Sequence, residues 1–203
     1  MYYSTTAGKT ATATATFVNS DISIDLSQTA AKYGDEITVT VTYPDGNRNS
    51  KTKESFNIQY EYTTLTGTSA TAPLTLTETD ENTGVFTGKV TIGATFSPKP
   101  GTKVTFKAVD NTHISTTQAM TEWLTPKTVS ATLNIQTHTG VLTVSATEIG
   151  PGAQFKITVK DPDLNTNIYA RDSVTVRVKS TSDPTGIPAV SYTHLTLPTN
   201  REV

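Results

Sequence analysis

The sequence repeats itself at a shift of 118 residues. Gly34-Asp35-Glu36-Ile37-Thr38-Val39-Thr40-Val41 lies over Gly152-Ala153-Gln154-Phe155-Lys156-Ile157-Thr158-Val159. Without a gap the same shift places Pro44-Asp45 over Pro162-Asp163, Asn47 over Asn165, and Glu54-Ser55-Phe56-Asn57-Ile58 over Asp172-Ser173-Val174-Thr175-Val176. The stretch from Lys9 to Thr14 falls in the same way on Lys127 to Thr132. A fixed period means that one structural unit is built twice, so the fold must fit one period and be able to follow itself along the chain.

Within a copy the apolar residues recur at every second position, the pattern of strands with one buried face. The alternation predicts strands near Ile22–Leu26, Glu36–Tyr43, Ser55–Tyr62, Leu74–Thr77, Val85–Ile92 and Lys103–Ala108, with Thr-Ala strands at Lys9–Val18 and Lys127–Gln136. The inward sets are Ile22, Ile24 and Leu26; Ile37, Val39, Val41 and Tyr43; Phe56, Ile58 and Tyr60; Leu74 and Leu76; Phe86, Val90 and Ile92; Val104 and Phe106. Their outward partners are mostly Thr, Ser, Asp and Lys, and 44 of the 203 residues are Thr, a residue suited to pleated, half-buried surfaces. No window of the first copy carries an apolar helical stripe, and Pro and Gly punctuate the joins at Tyr43-Pro44-Asp45-Gly46, Asn82-Thr83-Gly84 and Lys99-Pro100-Gly101. About seven strands in one period is the size of an immunoglobulin-like sandwich. The expected fold class is therefore all-β, with tandem immunoglobulin-like β-sandwich modules and a truncated second copy. Residues 1–18 read as the end of a preceding module and a connecting strand, 19–136 as a complete module, and 137–189 as the first part of its repeat.

Residues 190–199, VSYTHLTLPT, resemble the translation of a sequencing adapter, and Asn200 to Val203 follow as barcode. The resemblance implies that 190–203 is foreign to the natural protein, that the gene product continues past Ala189, and that His194 carries no function.

Leu74-Thr75-Leu76-Thr77-Glu78-Thr79-Asp80-Glu81-Asn82-Thr83-Gly84-Val85-Phe86-Thr87-Gly88 resembles the hairpin of archaeal surface-layer (S-layer) proteins with tandem immunoglobulin-like domains, of the kind found in ammonia-oxidising archaea. In the second copy, Ile157 to Asn167 and Asp172 to Val176 are similar to that family's strand, DPDLN turn and following strand. The first copy departs from the pattern, with Tyr43 in the place of Asp161 and Gly46 in that of Leu164. The resemblance implies a secreted structural protein of the cell surface whose partners are neighbouring immunoglobulin-like domains and other S-layer subunits. The hairpin residues also have a purely structural reading: a positive-φ residue at the turn, Phe86 as a core anchor, Gly88 at a close approach, and Glu78 accepting turn amides.

Asp161-x-Asp163-x-Asn165 presents three oxygen side chains at a spacing of two, a donor set that Ca²⁺ accepts when more oxygens converge, with Asp172 and Asp183 as further candidates. The competing reading is a turn whose Asp and Asn side chains satisfy their own backbone amides. Catalysis has little support. His113 and His138 stand in loop contexts, no nucleophile elbow or zinc-binding helix occurs, and Trp123 falls at the junction between copies. The absence of Cys removes disulfides and thiolate chemistry, and a net charge of -2 with no basic block gives no footprint for nucleic acid. No apolar run reaches the ~20 residues that span a bilayer. An adhesin stalk or a carbohydrate-binding appendage of a secreted enzyme is the competing function, and a solvent-facing cluster of Tyr3, Tyr33 and Tyr169 would favour it.

Overall fold

A computed structural model describes residues 2–4, 10–13, 19–112, 125–148, 150, 153–179, 184–185 and 187–192. His113, Trp123, Asp183, His194 and the expected strand beyond residue 13 lie outside the described residues. The described chain is all-β, with two single 3₁₀ turns and no α-helix. Strands β1 (Tyr2–Ser4) and β2 (Thr10–Thr12) form an antiparallel pair. The first copy contains β3 (Ser23–Leu26), β4 (Ala30–Ala31), β5 (Glu36–Thr42), β6 (Ser55–Thr63), β7 (Ser69–Glu78), β8 (Val85–Thr91), β9 (Lys103–Asp110) and β10 (Lys127–Ile135). These eight strands make one sheet in the order β3-β5-β8-β7-β6-β9-β10-β4.

The sheet is curled on itself. Its two outermost strands, β3 and β4, are separated in sequence only by Ser27-Gln28-Thr29, so its opposite edges must lie close together, and β3 also touches β10 across the curl. The bend falls at β7–β8, where only Thr77↔Thr87 and Glu78↔Phe86 pair. Beyond that point the strands cross tightly: a methyl group on Gly88 would sit 2.5 Å from Leu76 Cδ2 and 3.1 Å from the Thr75 carbonyl oxygen. The expected close approach at Gly88 is thus present. Because β7 has no other partner on that side among the described residues, Pro73 occupies a free edge there, and a residue with no N–H is tolerated. This is why β7 extends to Ser69, five residues ahead of the strand predicted from Leu74.

The curl encloses one apolar cluster. Ile37, Val39 and Val41 of β5 are fully buried, as are Val104 and Phe106 of β9, Leu76 of β7 and Phe86 and Val90 of β8, each on the parity that the alternation predicts. Burying side chains of this size is worth roughly 1.5–3 kcal/mol each, which lets a cysteine-free module hold itself together. Five buried members were not in the predicted sets: Ala31, Phe96, Ala108, Leu133 and Ile135. Phe96 lies outside any strand, with its ring 4.7 Å from Tyr60 and 4.9 Å from Tyr62.

The second copy contains β11 (Val141–Val144), β12 (Ile157–Lys160), β13 (Ser173–Val178) and β14 (Ile187–Tyr192). Its first pair reproduces the first copy bond for bond. Leu142 faces Val159 and Val144 faces Ile157, as Ile24 faces Val41 and Leu26 faces Val39, each displaced by 118 residues. Ser145 N donates to the Lys156 carbonyl at 2.9 Å, as Ser27 N does to that of Thr38 at 2.9 Å. The seryl oxygens accept in return, from Lys156 N at 2.8 Å and Thr38 N at 3.0 Å. The pairing of β13 with β14 differs. Ser173 faces Tyr192, whereas the β6–β7 register would place it opposite position 195. β14 enters the adapter-like segment, and its backbone pairs three residues out of step with the first copy.

Candidate functional site

The best-defined polar geometry repeated in both copies is the turn that follows β5 in the first and β12 in the second. Proline fixes φ at the first turn position, and a 3₁₀ turn forms at Pro44–Gly46 and again at Pro162–Leu164. In the first copy Gly46 N donates to the Tyr43 carbonyl and Asn47 N to that of Pro44, at 3.0 and 3.1 Å. Leu164 N to Asp161 and Asn165 N to Pro162, both 3.2 Å, are the equivalents. Each turn then ties down two further segments. Asp45 Oδ2 accepts from Ser20 N at 3.1 Å and Glu54 Oε1 from Arg48 N at 2.9 Å. Asp163 Oδ2 accepts from His138 N at 2.7 Å and Asp172 Oδ2 from Thr166 N at 3.0 Å. One carboxylate holds the chain leading into the copy and the other holds the loop leading out of the turn.

These contacts occupy the residues expected to bind Ca²⁺. Asp161 Oδ1 accepts the Asp163 amide at 3.0 Å, and Asp163 Oδ1 lies 2.9 Å from His138 Nδ1. Asp172 also accepts the Thr166 hydroxyl at 3.1 Å. Asn165 sits at the end of the turn, bonded through its backbone amide. Among the described residues, no three His, Asp or Glu side chains stand together as a metal site. His138 stands exposed in a loop, as expected, and its ring is paired with Asp163.

The departures at positions 43 and 46 are coupled. In the second copy Asp161 caps its own turn. In the first copy the Tyr43 ring turns inward and lies over residue 46, where a methyl group would come within 2.5 Å of Cδ1, so Gly is required. In the second copy Asp161 stands in place of that ring, and the equivalent of Gly46 is Leu164, which is exposed. The Tyr43 hydroxyl donates to Asp110 Oδ1 at 2.7 Å, and Asp110 also accepts the Thr112 amide and hydroxyl, each at 2.8 Å. Burial pushes the Tyr43 phenol above its ordinary pKa; the Asp110 bond and the Asp110 and Asp45 charges reinforce this, while the Thr112 hydrogen bond opposes it.

The LTETDENTGVFTG hairpin packs onto this turn. Gly84, at φ +62, lies against it so closely that a methyl group would come 2.7 Å from Pro44 Cα, and Tyr43 N donates to the Gly84 carbonyl at 2.7 Å. Asn82 takes φ +61, a conformation Asn tolerates, and its Oδ1 accepts from Asn47 Nδ2 at 2.9 Å. Glu78 is 2% exposed, and its carboxylate accepts Gly84 N at 2.7 Å, Thr83 N at 2.8 Å and Glu54 N at 3.2 Å. Burial alone would raise its pKa. The Gly84, Glu54 and Thr83 amides and the Thr83 hydroxyl outweigh burial and hold the carboxyl below the usual glutamate value.

The two copies meet at a junction that periodicity did not reveal. Tyr33 donates to the Pro98 carbonyl at 2.6 Å, and its ring packs at Gly93. Gly93 has φ +85, and a methyl group there would meet Tyr33 Cδ1 at 2.5 Å and Ile168 Cγ2 at 3.4 Å. Ser97 Oγ donates to the Thr166 carbonyl at 3.2 Å. The second copy's turn loop therefore sits against the loop between β8 and β9. Burial pushes the Tyr33 pKa up to about 12, helped by the charges of Asp163 and Asp172 across the junction. The stability this phenol contributes is complete below its ordinary pKa of 10.0 and is lost as pH rises through about 12. Tyr33 is thus part of the junction and not of an open aromatic platform with Tyr169, which is 82% exposed. The side chain of Tyr3 lies outside the described structure. The one sequence signal was Ile168, an apolar residue in a polar run where the first copy has Ser50.

No known protein family and no curated protein matches the chain. Among the described residues no helix is long and apolar enough to cross a membrane.

Proposed function

We propose that the chain is a structural component of an extracellular S-layer or related cell-surface array, built from immunoglobulin-like domains laid end to end. The observation that carries this reading is the recurrence, at 118 residues, of one strand register and one carboxylate-tied turn, with the second turn loop seated on the first copy. A unit that repeats and also touches its neighbour suits a linear array better than a freely hinged tether. The strand order supports the immunoglobulin-like assignment. It separates at the bend into β3-β5-β8 and β7-β6-β9-β10-β4, with the leading strand divided between the two groups as β3 and β4, the kind of grouping expected where two sheets face each other. The archaeal origin rests on the resemblance of the hairpin, in which Glu78, Asn82, Gly84 and Gly88 each have a geometric task.

In the assembled array the partners are neighbouring modules and other subunits. Cation binding at Asp161, Asp163 and Asn165 is the part of the reading with least geometric support, because turn amides and His138 already engage the two carboxylates. Ca²⁺ titration of the chain beside Asp161→Ala and Asp163→Ala variants decides it: a melting temperature that rises with Ca²⁺ only in the unaltered chain supports the site, and no rise retires it. The array itself is tested by sequencing the complete gene from source DNA and labelling intact cells with antibody raised against residues 19–136. Further tandem copies and surface labelling support it. A catalytic domain fused to one or two copies favours the appendage.

A further inference from the structure

We propose that the first copy carries a binding site for a free amino acid with an apolar side chain, in the cavity between the Pro44–Gly46 turn and the neighbouring ends of β6, β8 and β9. The site stands apart from the surface-array reading, because it is built from residues that the repeat does not share.

The cavity holds about 270 Å³. That lies under the roughly 300–1,000 Å³ of pockets for drug-sized ligands, so its occupant is smaller. Tyr43, Phe56, Phe86 and Val109 give it an apolar lining, with the Tyr43 and Phe56 rings 5.2 Å apart and the Phe56 and Phe86 rings 5.8 Å apart. Tyr43 and Phe86 are almost wholly buried, so these rings line a recess and offer no open platform for a sugar. Arg48 and Glu54 line the same cavity with opposite charges. An apolar recess flanked by one cation and one anion matches the side chain, carboxylate and ammonium of a free amino acid. A phosphate would meet Glu54, and a bare cation would meet Arg48.

Glu54 supplies the stronger argument. Its Oε1 accepts Arg48 N at 2.9 Å, whereas Oε2 is buried with no hydrogen-bond partner among the described residues. A buried acceptor left unsatisfied is costly, and an ammonium brought to it provides the missing donor as a charge-assisted hydrogen bond. The second copy shows the satisfied alternative. Its equivalent carboxylate, Asp172, is engaged at both oxygens by Thr166, through the amide at 3.0 Å and the hydroxyl at 3.1 Å. Arg48 stands in the place of Thr166 and has no hydroxyl to offer. Other lining residues differ too: Tyr43, Gly46 and Phe56 correspond to Asp161, Leu164 and Val174. Two aromatic rings, a guanidinium and a residue without a side chain are therefore specific to the first of the two copies.

The test is an amide chemical-shift titration of the full isotope-labelled chain with phenylalanine. N-acetylphenylalanine, which lacks the ammonium, and phenylalanine methyl ester, which lacks the carboxylate, are titrated beside it. A ligand of about twelve non-hydrogen atoms is expected to bind with a Kd of roughly 1 mM. Saturating shifts at Gly46, Ser55 and Asn111, without matching shifts at Leu164 and Ser173, support the site. The acetylated compound is expected to bind about tenfold more weakly, and the ester several-fold more weakly. Glu54→Gln keeps an acceptor for the Arg48 amide while removing the charge, and should weaken phenylalanine binding about tenfold; Arg48→Ala should weaken it several-fold. No saturating shift up to about ten times that Kd overturns the proposal. Equal binding of the three compounds, an affinity unchanged by Glu54→Gln, or equal shifts in the turns of both copies overturns it as well.

Discussion

At positions 43 and 46 the first copy carries Tyr and Gly, and at 161 and 164 the second carries Asp and Leu, yet the same turn forms at both places. The shared Pro-Asp pair and the Asn that follows suffice for the backbone. The exchanged pair decides what the turn is fastened to: in the first copy a phenol reaches down to buried Asp110, and in the second a carboxylate caps the turn locally. The copies differ in a second respect. Ile24 is 8% exposed and its equivalent Leu142 is 60% exposed, although both occupy the same register. Strand pairing is therefore set by local alternation and turn chemistry, and burial is added by the strands that close the curl over it. The parity persists without the cover: Ile157, Val159, Val174 and Val176 remain half-buried while Thr158, Lys160 and Thr175 are exposed.

The comparison can be broken most severely at Gly46. Gly46→Leu drives a side chain into the Tyr43 ring and is expected to cost the first copy about 3 kcal/mol, the upper end of overpacking, whereas Leu164→Gly should cost about 1 kcal/mol. Paired denaturant titrations measure both, and equal effects would mean that the two positions are not coupled to their neighbours as described. Tyr43→Phe comes next. It takes one donor from a buried carboxylate, with an expected loss of about 2 kcal/mol from the melting of the first copy.

Acid sharpens the contrast further. Glu78 has its folded-state pKa depressed, so its contribution is complete above the ordinary value of 4.5 and is lost as pH falls through the lower folded value. The melting temperature should fall on acidification through that window, and Glu78→Gln should lower it at neutral pH while flattening the acid dependence. An unchanged acid limb in that variant would remove Glu78 from the account. The smallest effect is expected at the junction. Ile168→Ser gives the second copy the residue of the first and should cost roughly 1 kcal/mol. Hydrogen exchange at residues 92–98 should quicken, with β5 and β9 unaffected.

Much of the fold was legible because alternation is a local property. The strands with mixed Val, Ile, Phe and Thr came out within a residue or two, and the inward parities held. Pro73 misled because proline breaks central strands, and nothing local says that this one has a free edge. β4 escaped notice because two alanines carry no alternation, and its parallel pairing with β10 joins residues about a hundred positions apart. The structural task of Glu78 was visible in its distance from Gly84. The departure at Tyr43 and Gly46 was visible as well, but its reason was not, since it depends on where a ring lies in three dimensions. Tyr33, Gly93 and Ile168 come together through contacts that no repeat or period marks.

The central claim, that the first strand pair of both copies folds in one register displaced by a single period, is tested most directly by cross-strand nuclear Overhauser effects in the full isotope-labelled chain. The account predicts contacts between Leu142 and Val159 and between Val144 and Ile157, matching those of Ile24 with Val41 and Leu26 with Val39. Contacts displaced by a residue in the second copy, or none at all between 141–144 and 157–160, would contradict it.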